Sequence, residues 1–296
     1  MSRLLLFFLS ISILQSCKAQ QPPLSQNADD NTLLWEVSGN NIKKPSYIFG
    51  TFHMLCKDDI HFSENLNKAI AQAEEVYFEI DLDDVSSTLG VMLLMNMKDG
   101  KTLKDLYTPE EFDKVKAYFE DSLKMPMAVV KRMKPMFLQA MLYPKLMPCN
   151  KASGVEEELM VIAKKNKKEI KGLETIAEQA AVFDSIPYDV QAKELLKGID
   201  SLSFYSNEFV QMVETYKAQQ LKKIGEMFSQ SEFNMDEQQQ EFLLNRRNRN
   251  WVQQLKSIMA DKNVFVAVGA GHLPGKNGLI ELLRDAGYTL RPIANK

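Results

Sequence analysis

Histidine is scarce in this chain, with three in 296 residues. Cysteine is as rare, at three, and tryptophan rarer, at two. Those counts exclude a disulfide-dense scaffold and a zinc module built on many cysteines. No concentration of positive charge is present, and the net charge of −3 gives no electrostatic basis for a nucleic-acid partner. Beyond the N-terminus no apolar run is long enough to span a bilayer. A Gly-x-Ser-x-Gly elbow, a phosphate-cradling glycine loop and a His-Glu-x-x-His pair are all missing. What remains is an ordinary globular composition, 45% apolar and 25% charged, in a length that allows one large domain or two small ones.

The first 17 residues read as a bacterial export signal. Arg3 supplies a short positive region, and Leu4 to Leu14 an apolar stretch too short for a lasting membrane span. Leu14-Gln15-Ser16-Cys17 resembles a lipoprotein box, in which Cys17 becomes the lipidated first residue; the alternative is a plain secreted protein with a chance cysteine. Residues 18–31 are polar and contain proline, so they read as a flexible tether. The expected location is the bacterial cell envelope, lipid-anchored and facing the periplasm or the cell surface. Exported proteins meet oxidising conditions, which makes a Cys56–Cys149 disulfide the economical reading. Its rival is a metal-ligand role for Cys56, three residues after His53.

Leu33–Val37 and Pro45–Phe52 are β-rich runs around Ser38-Gly39-Asn40-Asn41, the pattern of a hairpin. A helix is expected from about Ser63 to Ala73, then a strand over Val76–Leu82 with Tyr77, Glu79 and Asp81 on one face. The middle, roughly 85–260, reads as helical, with capping boxes at Thr108 and Thr175 and a short strand at Glu169–Leu173. Nine of the sixteen methionines fall between 85 and 147, which reads as forgiving core filler before it reads as a binding surface. After about residue 234 a long helix leads to the strand Val264–Val268, then a helix over Gly278–Ala286 and a last strand over Tyr288–Ile293. Lone strands cannot hide their apolar faces, so the two ends must share a sheet. The expected fold is α/β: a mixed sheet from N- and C-terminal segments with a large helical insertion, forming one domain over residues 32–294.

Two of the three histidines occupy the same frame. Gly50-Thr51-Phe52-His53 closes one apolar run and Gly269-Ala270-Gly271-His272 closes another. An imidazole just past a buried strand is where open α/β sheets place their sites. Two imidazoles and a carboxylate are a ligand set for a divalent metal with an open position, and His53, His272 and Glu79 supply it, with Asp81 as neighbour or base. Without metal, a histidine held by Glu79 serves as general base and Arg247 holds an oxyanion or substrate carboxylate. Arg247, Asn250 and Trp251 are spaced to share a helix face. Glu156 and Glu174 are further candidates, or simply acidic residues favoured at helix N-termini. His61 reads as surface.

Taken together these residues resemble the TraB/GumN family, which includes the Tiki metalloproteases. The resemblance covers nearly all of 32–294 and rests on Gly50–His53, Glu79-Ile80-Asp81, Gly172-Leu173-Glu174-Thr175 with Gln179, Arg247-Asn248, and Val268 to Gly275. Arg246 stands where that pattern has glutamate. The resemblance implies a fold like that of erythromycin esterase and a haem-binding lipoprotein. It maps His53 and His272 onto the paired motif histidines, Glu79 onto the motif carboxylate and Arg247 onto the motif arginine. It implies a hydrolase, a divalent-metal-dependent peptidase (manganese, cobalt or zinc) acting on peptides or a small exported substrate. The other class kept open is a lipoprotein that sequesters a peptide or haem without turnover.

Overall fold

The structure is a computed structural model that describes residues 29–81, 83, 94–229 and 236–296. The expected export signal, Cys17, most of the tether and Leu82 lie outside the described residues. Among the described residues, no helix is long and apolar enough to cross a membrane.

Among those residues eight strands form: β1 (Leu34–Gly39), β2 (Ser46–Thr51), β3 (Leu55–Cys56), β4 (Glu75–Ile80), β5 (Ala152–Ser153), β6 (Glu169–Glu174), β7 (Val264–Gly269) and β8 (Tyr288–Ile293). Six of them make one sheet in the order β6-β4-β7-β2-β1-β8, while β3 and β5 pair separately. β6, β4, β7 and β2 run parallel. The β1–β2 hairpin and the β1–β8 pair are antiparallel. The sheet is therefore mixed and is built mainly from the two chain ends. Its far edge, β6, comes from the middle and divides the helical insertion in two.

Central parallel strands are covered on both faces and read as unbroken apolar runs. β7, Val-Phe-Val-Ala-Val-Gly, has five of its six residues buried, and all six residues of β2 are buried. Local signals begin the helices where the sequence places them. Ser63 caps the helix Glu64–Gln72, and capping boxes at Thr108 and Thr175 open Pro109–Ala117 and Ile176–Asp184. A second apolar core gathers Met97, Leu103, Phe119, Met127, Met133 and Leu138 away from the sheet. Methionine is common there because it fills irregular gaps between short helices. The expected long helix after 234 is broken in phase: a π-turn, Glu241–Asn245, separates Glu237–Gln240 from Arg246–Asp261.

Candidate functional site

Parallel pairing puts the C-terminal ends of four strands along one edge of the sheet. Glu174 ends β6, Glu79 is the penultimate residue of β4, Gly269 ends β7 and Thr51 ends β2, with His53 just beyond. The register sets Thr51 beside Gly269, so the two histidine frames are neighbours. Gly50 permits that closeness: a Cβ there would lie 2.9 Å from Leu273 Cδ1 and 3.1 Å from Ala270 Cα.

Arg247 is the hub of this edge. It enters just after the π-turn, a helix irregularity often found at functional sites. Its Nη2 reaches Glu79 Oε2 at 2.5 Å and Glu174 Oε1 at 2.6 Å. Its Nε contacts both oxygens of Glu174, and its Nη1 donates to the Leu243 carbonyl at 2.9 Å and faces His272 Nε2 at 3.1 Å. A guanidinium has five N–H groups, and all five are engaged here. Gln179 Nε2 joins the two carboxylates at 3.3 Å and 3.1 Å, and the Gly269 N–H donates to Glu79 Oε1 at 2.8 Å. Burial opposes the charge on Arg247, but Glu79 and Glu174 outweigh it and hold the guanidinium protonated. Burial also works to raise the Glu79 carboxyl; the neighbouring His272, Arg247 and His53 side chains and the Gly269 N–H bring it down to about 2. Of those groups, Arg247 alone is charged at every pH.

His272 is buried under this hub. Burial presses its pKa down to about 3, outweighing the pull of Glu79, so the ring is neutral in ordinary buffers. Its Nδ1 lies 2.6 Å from Asn248 Oδ1, and the Trp251 ring packs against it at 4.5 Å. His53 is placed differently. Three-quarters of its side chain is accessible (76%), and its Nδ1 pairs with Glu156 Oε1 at 2.8 Å. The hydrogen bond to Glu156 is the main cause that raises the His53 pKa, to about 9, with burial opposing and Glu79 assisting. Thr51 Oγ1 donates to the same Glu156 oxygen at 2.6 Å.

The partnership of His53 and Glu156 is made by the small β3–β5 pair. Leu55 and Cys56 align with Ser153 and Ala152, the Val155 N–H donates to the Phe52 carbonyl, and Cys56 is joined to Cys149 by a disulfide with 5.9 Å between the Cα atoms. The closed loop is long, with a sequence separation of 93. Opening it in a Cys56→Ser/Cys149→Ser variant should cost about 2–4 kcal/mol, read as a lower midpoint in denaturant titrations of the oxidised wild type and the variant.

The residues singled out from the sequence are thus gathered on one edge, but with altered pairings. The histidine nearest Glu79 is His272, at 3.7 Å, beyond hydrogen-bonding range and neutral, so the general base held by Glu79 is not formed. Arg247 has every donor engaged and holds the site's own carboxylates, so in this arrangement it faces Glu79 and Glu174 where a substrate anion was expected. Asn250 and Arg246 are exposed; the buried companions of Arg247 are Trp251, on the expected face with its ring 4.7 Å from the guanidinium, and Asn248. Asp81 lies past the end of β4, and its Oδ1 accepts from the Asp83 N–H at 3.2 Å. Glu156 and Glu174, weaker candidates by sequence, hold central places. Their signals are a carboxylate after Gly154 and the Gly-Leu-Glu-Thr motif at 172–175.

The proposed ligand set does not fit a divalent metal as arranged. His272 Nε2 faces the Arg247 guanidinium, Glu79 Oε2 is bound by it, and His53 Nδ1 is taken by Glu156. A fixed positive charge amid the donors opposes a dication. Among the described residues, no group of three or more His, Cys, Asp or Glu side chains is placed to hold a metal ion.

Residues 33–292 match the TraB/PrgY/gumN family. The chain belongs to that family. Among curated proteins, it is similar to metalloprotease TIKI1 of Danio rerio, at 22% identity over 92% of this chain, and to TIKI1 of Homo sapiens, at 21% over 89%. A shorter stretch, 31% of the chain, is 33% identical to metalloprotease TIKI2 of Danio rerio. The chain spans less than two thirds of the two TIKI1 proteins, 64% and 62% of their lengths. No solved structure matches.

Proposed function

We propose that this protein is an exported, lipid-anchored hydrolase that cleaves peptides, with His53 as the base that activates water. The observation that carries the reading is an accessible imidazole whose Nδ1 is held by Glu156 and which stands at the carboxyl edge beside the buried Arg247 cluster. In the proposed reaction, His53 Nε2 takes a proton from water while Nδ1–H stays bound to Glu156. The hydroxide oxygen bonds to the peptide carbonyl carbon, the C–N bond breaks, and His53 returns the proton to the departing amine. The products are an acid and an amine. Glu79, Glu174, Arg247 and Gln179 form a cross-bonded floor at the same strand edge, while the β3–β5 pair holds His53 against Glu156.

The metalloprotease name carried by the relatives supports peptide bonds as the target. The disulfide supports an oxidising compartment, and the Leu-Gln-Ser-Cys17 box supports a membrane anchor through lipid at Cys17. A divalent ion, whether manganese, cobalt or zinc, belongs to a second reading that rests on the relatives' names alone. It requires Arg247 to release Glu79 and His272.

The test is incubation of the purified protein with a peptide library, with a chelator and with each metal added back, followed by mass spectrometry of the products. Cleavage that survives the chelator supports the scheme with His53 and Glu156. Cleavage restored only by metal supports the second reading, and binding without products in every arm supports sequestration. The pH profile gives a further check. An imidazolium cannot accept a proton, so activity should fall as pH drops through the raised His53 pKa of about 9. In Glu156→Gln that limb should move down toward the ordinary imidazole value of 6.5, seen in kcat/KM measured across the alkaline range.

A further inference from the structure

The two ends of the His272 ring are constrained independently, and the constraints agree. On one side, Arg247 Nη1 carries only N–H donors and lies 3.1 Å from Nε2. That nitrogen must therefore present its lone pair. On the other side stands the Asn248 amide. Its Nδ2 donates to two carbonyls, those of His272 at 3.2 Å and Asn277 at 2.8 Å, which fixes which end of the amide is nitrogen. The remaining end, Oδ1, is an acceptor and meets His272 Nδ1 at 2.6 Å. That nitrogen must carry the proton. Rotating the amide would set oxygen against two carbonyls and N–H against a ring nitrogen, while Nε2 would then meet a guanidinium with an N–H of its own.

We propose that Asn248 is a positioning residue that locks His272 as the neutral Nδ1–H tautomer, so that the ring acts as a fixed acceptor aiming the Arg247 guanidinium at Glu79 and Glu174. In this role His272 neither gives nor takes a proton during turnover. Its lone pair completes the set of acceptors that saturates Arg247. Asn248 is 1% exposed and also binds the backbone on both sides of the 273–276 loop. It therefore ties ring orientation to the loop that follows the second histidine frame. The inference concerns the same site as the hydrolase reading but does not need that reading to be correct, because its test reads the ring itself.

With only three histidines in the chain, two-bond proton–nitrogen spectra of nitrogen-labelled full-length protein resolve each ring, and His53→Ala and His61→Ala assign them. The expected wild-type result is a single Nδ1–H pattern for His272, in at least about tenfold excess over the other tautomer, since one well-made buried hydrogen bond is worth about 1.4 kcal/mol. That pattern should be unchanged from mildly acidic to mildly alkaline pH. In Asn248→Ala the Nδ1–H excess should shrink severalfold without vanishing, since Arg247 still requires a lone pair at Nε2, whereas Asn248→Asp, which loses the Nδ2 donor but keeps an acceptor at Oδ1, should retain the larger excess. A wild-type ring protonated at Nε2 or at both nitrogens near neutrality would overturn the proposal, as would an Asn248→Ala ring with an undiminished preference. If Asn248→Ala fails to fold, the wild-type and Asn248→Asp spectra still decide it.

Discussion

Replacing Arg247 with glutamine should destabilise the protein by about 3–5 kcal/mol, because it strands two buried carboxylates without their counter-charge. Glu79 and Glu174 keep only 12% and 8% of their side-chain surface accessible, so water cannot take over the lost bonds. The neutral amide leaves both carboxylates without a cation to share, and their mutual repulsion rises. Burial would then also carry the Glu79 carboxyl upward from its depressed value. Denaturant titration of wild type and Arg247→Gln checks the loss, and a variant that also carries Glu79→Gln and Glu174→Gln should recover part of it. A single-variant cost within about 0.5 kcal/mol, the usual range for a surface substitution, would show that the cluster is not the rigid element described here.

The second large effect is kinetic. His53→Ala should lower kcat/KM by roughly a hundredfold to ten-thousandfold, the range for a positioned acid–base group, with little change in stability. The asymmetry with Arg247 follows from exposure. The His53 ring is 76% accessible, so its removal leaves no cavity and strands only Glu156, which keeps Thr51 as a donor. His272→Ala should behave in the opposite way. That ring is buried against Trp251 and supports Arg247, so its loss should cost stability together with activity. Thermal melting alongside turnover separates the two histidines, and equal stability losses in both variants would contradict their different roles.

Most of the scaffold is legible in the sequence because its signals are local. Ser63, Thr108 and Thr175 sit directly before the helices they cap, and β2 and β7 announce themselves as apolar runs. The shared frame of Gly50–His53 and Gly269–His272 points to a single edge because both follow buried strands, and the parallel β2–β7 register brings them side by side. What escapes a reading of the sequence depends on contacts distant along the chain or on helix phase. Glu156 reaches His53 only through the β3–β5 pair and the disulfide that closes the loop between them. A carboxylate in the first helical turn looks the same in sequence whether it serves the helix or a histidine. Spacing of three and four favours Asn250 over Asn248 as the companion of Arg247. The buried stripe instead runs through Arg247, Asn248, Trp251, Val252 and Leu255, which lies to the other side of Arg247 and turns Asn250 to solvent. Nor does sequence spacing reveal that a guanidinium sits among the expected metal ligands. That becomes visible only where Glu79, Glu174 and His272 converge on it in the folded chain.

The most direct trial of His53 as the water-activating base is peptide cleavage in heavy-oxygen water, with wild type and His53→Ala compared at equal folded concentration. Wild type should release fragments whose new carboxyl ends carry the heavy label, and His53→Ala should release almost none. Intact peptides from folded wild type under every buffer condition, or equal labelled product from the variant, would contradict it.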